Sequence, residues 1–400
     1  MLNIFMLFEG RKDLLIGLSL SVLYLTYYLV EVVKRPLLVC GAGEFRALLA
    51  SLPLLQARYW PTPWCVEARL QTVLGSVLRS RLLPAVRYRR QLLALADGGT
   101  VALDWLEDAA PAPAPVLLLL PGLTGGAQAD YARCLALAAR RLGARCVVFN
   151  QRGLGGLPLT SPRLYCAVSH ADLAEVVRAV RAAAPGAPLL AVGVSLGGLI
   201  LGHYLAEQGE RADVAAALIV SSPLDVVQGS ACIESWPLNA LLSYHMACNL
   251  RSTVARHGLG AGAAVRRCRS VREFDAAFTA QHFGFKSVDA YYAAASLHDK
   301  LGAVAVPTLC LQAADDPFQP LHVLPLSAAA ASRRVALAVP ARGGHIGFLE
   351  GWWPLGEQYI ARLARQYFAA LLSRPDLLHA PPAPAAPPAD PAPGSATHTH

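Results

Sequence analysis

Residues Gly193-Val194-Ser195-Leu196-Gly197-Gly198 spell G-x-S-x-G with one further glycine, a pattern that presents a serine hydroxyl as a nucleophile. Such a hydroxyl attacks a carbonyl only with a base to take its proton and a third group to orient that base. When the serine sits on a strand-to-helix turn, the partners follow in the order serine, acid, histidine. Both follow here. Ala313-Ala314-Asp315-Asp316-Pro317-Phe318 carries two carboxylates, and Arg342-Gly343-Gly344-His345-Ile346-Gly347-Phe348 carries a histidine behind two glycines. Successive residues cannot both aim at one imidazole, so one of Asp315 and Asp316 is the acid and the other caps a loop or faces a helix end. The chemistry implied is acyl transfer: Ser195 attacks, His345 moves the proton, and the carboxylate fixes the imidazole tautomer. An oxyanion needs two backbone donors. They are expected from the N–H of Leu196, directly after the nucleophile, and of Leu123, in the turn Pro121-Gly122-Leu123-Thr124-Gly125-Gly126. No lysine follows that turn as a phosphate-binding loop requires.

These residues are useful only if the fold gathers them. Apolar runs at 116–120, 145–150, 189–192, 216–220, 308–312 and 335–339 read as buried strands, with amphipathic helices at 129–141 and 171–184. Continuous apolar strands alternating with helices predict an α/β fold with a mostly parallel sheet covered on both faces, its site at the C-terminal strand ends. Each residue named above follows such a strand. Gly193 and Gly197 leave no Cβ where strand and helix must pass closely. Asp97-Gly98-Gly99 predicts a hairpin between 91–96 and 101–106, followed by a Pro/Ala loop at 109–115. From 223 to 306 the alternation stops. This span, with helical pieces near 237–248 and 271–278 and the aromatic set Phe278, Phe283, Phe285, Tyr291 and Tyr292, is read as a helical lid over an apolar pocket.

The chain of 400 residues is 54% hydrophobic, above the about 45–50% usual for soluble proteins. One segment concentrates the excess: 14–30 has no charged residue, is bracketed by Arg11, Lys12, Asp13 and Glu31, Lys34, Arg35, and carries Tyr24, Tyr27 and Tyr28 near its end. It reads as an uncleaved single-pass signal-anchor over 14–33, for which the endoplasmic reticulum is the candidate membrane. Balanced basic residues leave the sidedness open. An extension at 34–90, with a helix at 67–82, brings Tyr59-Trp60-Pro61-Thr62-Pro63-Trp64 either onto the catalytic domain at 91–375 or to the bilayer surface. Residues 1–13 are a short tail, and 376–400 are a disordered Pro/Ala-rich one. The net charge of +8 comes from scattered arginines, which excludes a nucleic-acid surface and fits attraction to anionic lipid. Nine cysteines without C-x-x-C read as mostly buried thiols, giving neither a zinc site nor a disulfide framework.

The motifs together resemble the membrane-anchored α/β-hydrolase domain-containing proteins, type 1 most closely and type 3 beside it. The likeness rests on Tyr59-Trp60-Pro61-Thr62-Pro63-Trp64-Cys65, Leu119-Leu120-Pro121-Gly122-Leu123-Thr124-Gly125, Val147-Val148-Phe149-Asn150-Gln151-Arg152-Gly153, the serine turn, the double-aspartate loop and Gly343-Gly344-His345-Ile346-Gly347-Phe348-Leu349-Glu350-Gly351. It implies the α/β-hydrolase fold and single-pass serine hydrolases, the type 3 branch being phospholipases on phosphatidylcholines with medium-length acyl chains. The superfamily's loop pattern, a small residue three before the acid and proline four after it, selects Asp316. The expected function is therefore hydrolysis of acyl esters of lipids at a membrane by Ser195, Asp316 and His345, with no cofactor or metal. Acyl transfer to an alcohol by the same residues and a catalytically idle membrane adaptor are the alternatives.

Overall fold

The computed structural model describes residues 2–107, 110–235, 237–259 and 262–380. Its strands are β1 (Leu37–Val39), β2 (Tyr88–Ala94), β3 (Thr100–Leu106), β4 (Val116–Leu120), β5 (Arg145–Asn150), β6 (Leu189–Val194), β7 (Ala216–Val220), β8 (Thr308–Leu311) and β9 (Val335–Val339). They form one sheet in the order β1-β9-β8-β7-β6-β4-β5-β3-β2. From β5 through β4 to β9 the pairing is parallel, while β1, β2 and β3 add antiparallel edges. This is the predicted α/β-hydrolase architecture. The six predicted strands are present, β6 running on to Val194 and β8 closing at Leu311.

Alternation along the strands builds two cores. Leu117 and Leu119 face one layer with the helices Asp130–Leu142 and Tyr359–Leu372. Val116, Leu118 and Leu120 face the other, with His170–Ala183 and Leu196–Gln208. A parallel sheet buried on both faces leaves its polar backbone open only at the strand ends, so loops there can carry chemistry. Seven of the cysteines are buried in these layers or beside them, and Cys232 and Cys248 are half-buried.

The stretch 34–90, expected to stand before the catalytic domain, is built into it. Leu37 pairs with Val339 and Val39 with Leu337, and Phe45, Leu48, Leu49 and Tyr59 join the core. A three-residue edge strand is too short to show periodicity, which is why sequence reading missed β1. Between β7 and β8 the described part of 223–306 is helical, chiefly Val226–Glu234, Pro237–Arg256 and Val288–Ala295, with a π-helical turn at Asp275–Thr279.

At the N-terminal end, Arg11–Val32 is a helix long and apolar enough to cross a membrane, and it is exposed along most of its length. At the other end the chain stays docked beyond 376: Leu377 is buried and the His379 N–H donates to the Ala215 carbonyl at 2.9 Å. The predicted tail from 381 onward, and Ala109 at the head of the predicted 109–115 loop, lie outside the described residues.

Candidate active site

Ser195 sits where β6 turns into the helix Leu196–Gln208, with φ +53°. A left-handed non-glycine residue costs about 1–3 kcal/mol and persists only where its surroundings impose it. Here they do: the Ser195 N–H donates to Val220 O at 2.9 Å, and its carbonyl accepts from Ser222 Oγ and from the Gly198 N–H, each at 2.9 Å. A Cβ on Gly197 would lie 2.2 Å from Leu120 O and 2.5 Å from Pro121 O. Backbone atoms cannot swing aside, so Gly197→Ala is expected to destabilise the fold by at least the about 1–3 kcal/mol of an overpacked core. Gly302→Ala, in open space, is expected to stay within about 0.5 kcal/mol. Thermal melts of the two variants check this, and equal melting would refute the close packing of the turn.

Three side chains from three strand ends meet above the sheet. Ser195 Oγ lies 3.0 Å from His345 Nε2, and His345 Nδ1 lies 2.9 Å from Asp316 Oδ2. The Asp316 side chain is 1% exposed, and its Oδ1 accepts the Phe318 N–H at 2.8 Å, which fixes the carboxylate plane. Phe318 stacks obliquely on the imidazole, ring centroids 4.3 Å apart. A hydroxyl, an imidazole and a buried carboxylate in one hydrogen-bonded line can move a proton off the hydroxyl and stabilise the resulting cation.

Asp315 points elsewhere. Its Oδ1 accepts the Gly344 N–H at 3.0 Å, and its Oδ2 is buried without a partner among the described residues. Burial pushes this carboxyl up to about 7, against the pull of the Gly344 N–H and of Arg342. The value in the folded chain exceeds the ordinary 3.8, so folding takes up a proton between those values. The stability carried by the neutral acid is full below pH 3.8 and is lost as pH rises through about 7. Asp315→Asn, which cannot ionise, is expected to flatten that loss. Melting temperatures at pH 5 and pH 8 read it, and an unchanged slope in the variant would remove Asp315 as its source.

Leu123 and Leu196 both line a pocket that includes Ser195. Neither N–H donates to any described residue. The loop carrying Leu123 is held from both sides by two tyrosines, Tyr131 half-buried and Tyr165 buried: the Gly122 N–H donates to Tyr131 Oη at 2.8 Å and the Thr124 N–H to Tyr165 Oη at 3.1 Å. Burial drives the Tyr165 phenol up to about 12, so it stays a neutral acceptor. The pocket is walled by apolar side chains of the helical insertion, among them Ile233, Leu250, Val254, Phe274 and Phe278. One acid interrupts them: Asp275, whose Oδ2 accepts from Tyr292 Oη at 3.0 Å and whose carboxyl burial raises to about 6.

Sequence reading missed the helix contacts that hold His345. In Ala68–Leu82, capped by Glu67, the Thr72 Oγ1 accepts the His345 N–H at 2.9 Å. Arg79, 2% exposed, donates Nε to Asp130 at 2.6 Å and Nη1 to the carbonyls of Ile346 and Gly347 at 3.0 Å each. Gly344, at φ +57°, packs so closely that a Cβ would lie 2.1 Å from Ala68 O. The available signal was the four-residue spacing of Gln71, Gly75 and Arg79, a polar and small stripe on a helix whose Leu70, Val73 and Val77 look like its core face. The structure inverts that face, burying the stripe and exposing the three apolar residues. Ser221 likewise went unread; its Oγ accepts the Ile346 N–H at 3.1 Å.

A family model described as the alpha/beta hydrolase fold matches residues 115–239. Phospholipase ABHD3 of Mus musculus is 41% identical over 374 residues, covering 89% of this chain and 90% of its own. The human phospholipase ABHD3 is 39% identical over 374 residues, with 89% and 91% covered, and that of Bos taurus is 39% identical over 368 residues, with 89% of each covered. Identity at that level spans about nine-tenths of both chains, and the protein therefore belongs to the ABHD family of α/β hydrolases, close to phospholipase ABHD3.

Proposed function

We propose that this protein is a membrane-anchored serine hydrolase that cleaves acyl esters of lipids, phospholipids foremost. The observation that carries the reading is the line Asp316–His345–Ser195, with contacts of 2.9 and 3.0 Å, opening on an apolar pocket. Ser195 Oγ adds to the ester carbonyl while its proton passes to His345 Nε2. The tetrahedral oxyanion rests on the N–H groups of Leu123 and Leu196. As the C–O bond breaks, His345 returns the proton to the departing alkoxide, leaving the acyl group on Ser195. Water, deprotonated by the same imidazole, attacks that acyl-enzyme and releases the fatty acid. Relatives named phospholipases support a lipid ester, and the apolar helix Arg11–Val32 supports delivery at a bilayer.

A fluorophosphonate probe tests the reading directly. Wild type is expected to be labelled on Ser195 and to release fatty acid from phospholipid vesicles, and Ser195→Ala to do neither. Labelling that persists in Ser195→Ala, or an inert wild type, would end the proposal.

A further inference from the structure

The helix Arg11–Val32 is not a free tether. Tyr24 Oη donates to the Pro63 carbonyl and Tyr28 Oη to that of Pro61, the latter at 2.5 Å. The Tyr28 and Trp60 rings lie 6.3 Å apart, and Arg342 Nη2 donates to Tyr27 Oη at 2.9 Å. The catalytic domain is thus clamped to residues 24–28, inside the uncharged stretch rather than beyond it. At about 1.5 Å rise per residue, the contact at Tyr24 lies about 9 Å short of Val30, where that stretch ends. If the helix spans, whatever touches it at that level sits in the headgroup layer and the upper acyl region.

The surface beside this clamp has the composition for such a place. Four of the chain's six tryptophans gather there: Trp60 and Trp64, each 45% exposed, and Trp352 and Trp353, at 64% and 68%. Trp64 Nε1 donates to the Trp352 carbonyl at 2.7 Å, and the Trp64 and Trp353 rings are 6.2 Å apart, so two distant segments form one rim. Leu355, 66% exposed, extends it. The inverted helix Ala68–Leu82, which starts four residues after Trp64, also exposes apolar side chains, Leu70, Val73 and Val77. Indoles prefer the membrane–water boundary, where the ring is shielded and the N–H stays near water. In water such a patch would be a liability.

We infer that the catalytic domain is partly immersed in the interfacial layer of a lipid bilayer through this tryptophan rim, so that the site is held at the membrane surface rather than dangling above it. The rim's segment and the histidine loop are one stretch of chain, and Arg342, bonded to Tyr27, stands three residues before His345. The inference rests on the spanning role of Arg11–Val32 and adds a depth and an orientation to it.

The test uses the full chain reconstituted in phosphatidylcholine vesicles. Lipids brominated near the headgroup end of the acyl chain are expected to quench tryptophan emission, while aqueous iodide quenches little. Trp352→Phe/Trp353→Phe is expected to lose about half of the brominated-lipid quenching, two of four rim indoles being gone. Alkaline carbonate extraction, run in parallel, is expected to leave both forms in the membrane. Release by carbonate would overturn the span and this inference with it. Retention with iodide quenching and no bromine quenching would overturn the immersion alone, as would protection from both quenchers, which would give the rim to a protein partner.

Discussion

Ser195→Ala is expected to lower kcat for ester hydrolysis by about 10⁶, His345→Ala by a similar factor, and the double variant by no more than either alone. The hydroxyl is a nucleophile only while the imidazole, 3.0 Å away, accepts its proton; with either gone, the other has nothing to act on. Losses that multiplied in the double variant would mean that the two residues work separately. The acid gives a second comparison. Asp316→Asn keeps the packing but favours the wrong imidazole tautomer, and a loss of about 10⁴ is expected. Asp315→Asn keeps an oxygen for the Gly344 N–H, and one such hydrogen bond is worth about tenfold at most. The reverse ranking would transfer the acid's role to Asp315.

The second large effect lies outside the site. Arg79→Met is expected to cost about 3–5 kcal/mol of stability, the scale for breaking a buried ion pair from one side. The guanidinium is 2% exposed and Asp130 12%, so the carboxylate left behind would have little access to water. The carbonyls of Ile346 and Gly347 would lose their donor at the same time. Because these two residues directly follow His345, the variant is also expected to lose kcat at temperatures where it is still folded, with KM nearly unchanged. Arg79→Lys should fall between, since an ammonium cannot span Asp130 and both carbonyls as the planar fork does. Denaturant midpoints and steady-state kinetics on the two variants measure this. A midpoint equal to wild type in Arg79→Met would show that the pair does not clamp the loop.

The clamp also changes what the N-terminal segment is. Its helix supplies Thr72 and Arg79 to the histidine loop, its strand β1 closes the sheet edge, and its aromatic loop grips the apolar helix. Sequence periodicity alone makes it an appendage, because a helix with Leu70, Val73 and Val77 on one side looks like an ordinary amphipathic helix turned inward. In the fold the face with Gln71, Gly75 and Arg79 is buried against the histidine loop, and the pattern does not say which side is which.

The amino-acid sequence by itself determined the sheet, since Val-, Leu- and Ala-rich runs buried on both faces admit few other arrangements. It also singled out the turn at Ser195, because a strand-turn-helix with glycines at Gly193 and Gly197 is a local requirement written in adjacent residues, and it placed Asp315, Asp316 and His345 after later strands. Which aspartate reaches the imidazole does not follow from the two side chains' own chemistry, and only the resemblance favours Asp316; in space one bonds His345 and the other Gly344. The same holds for Thr72, Arg79, Tyr131 and Ser221, which act across separations of nine to more than two hundred and fifty residues. Local spacing is governed by backbone geometry and can be read along the chain, whereas a hydrogen bond between distant segments exists only once packing has brought both ends together.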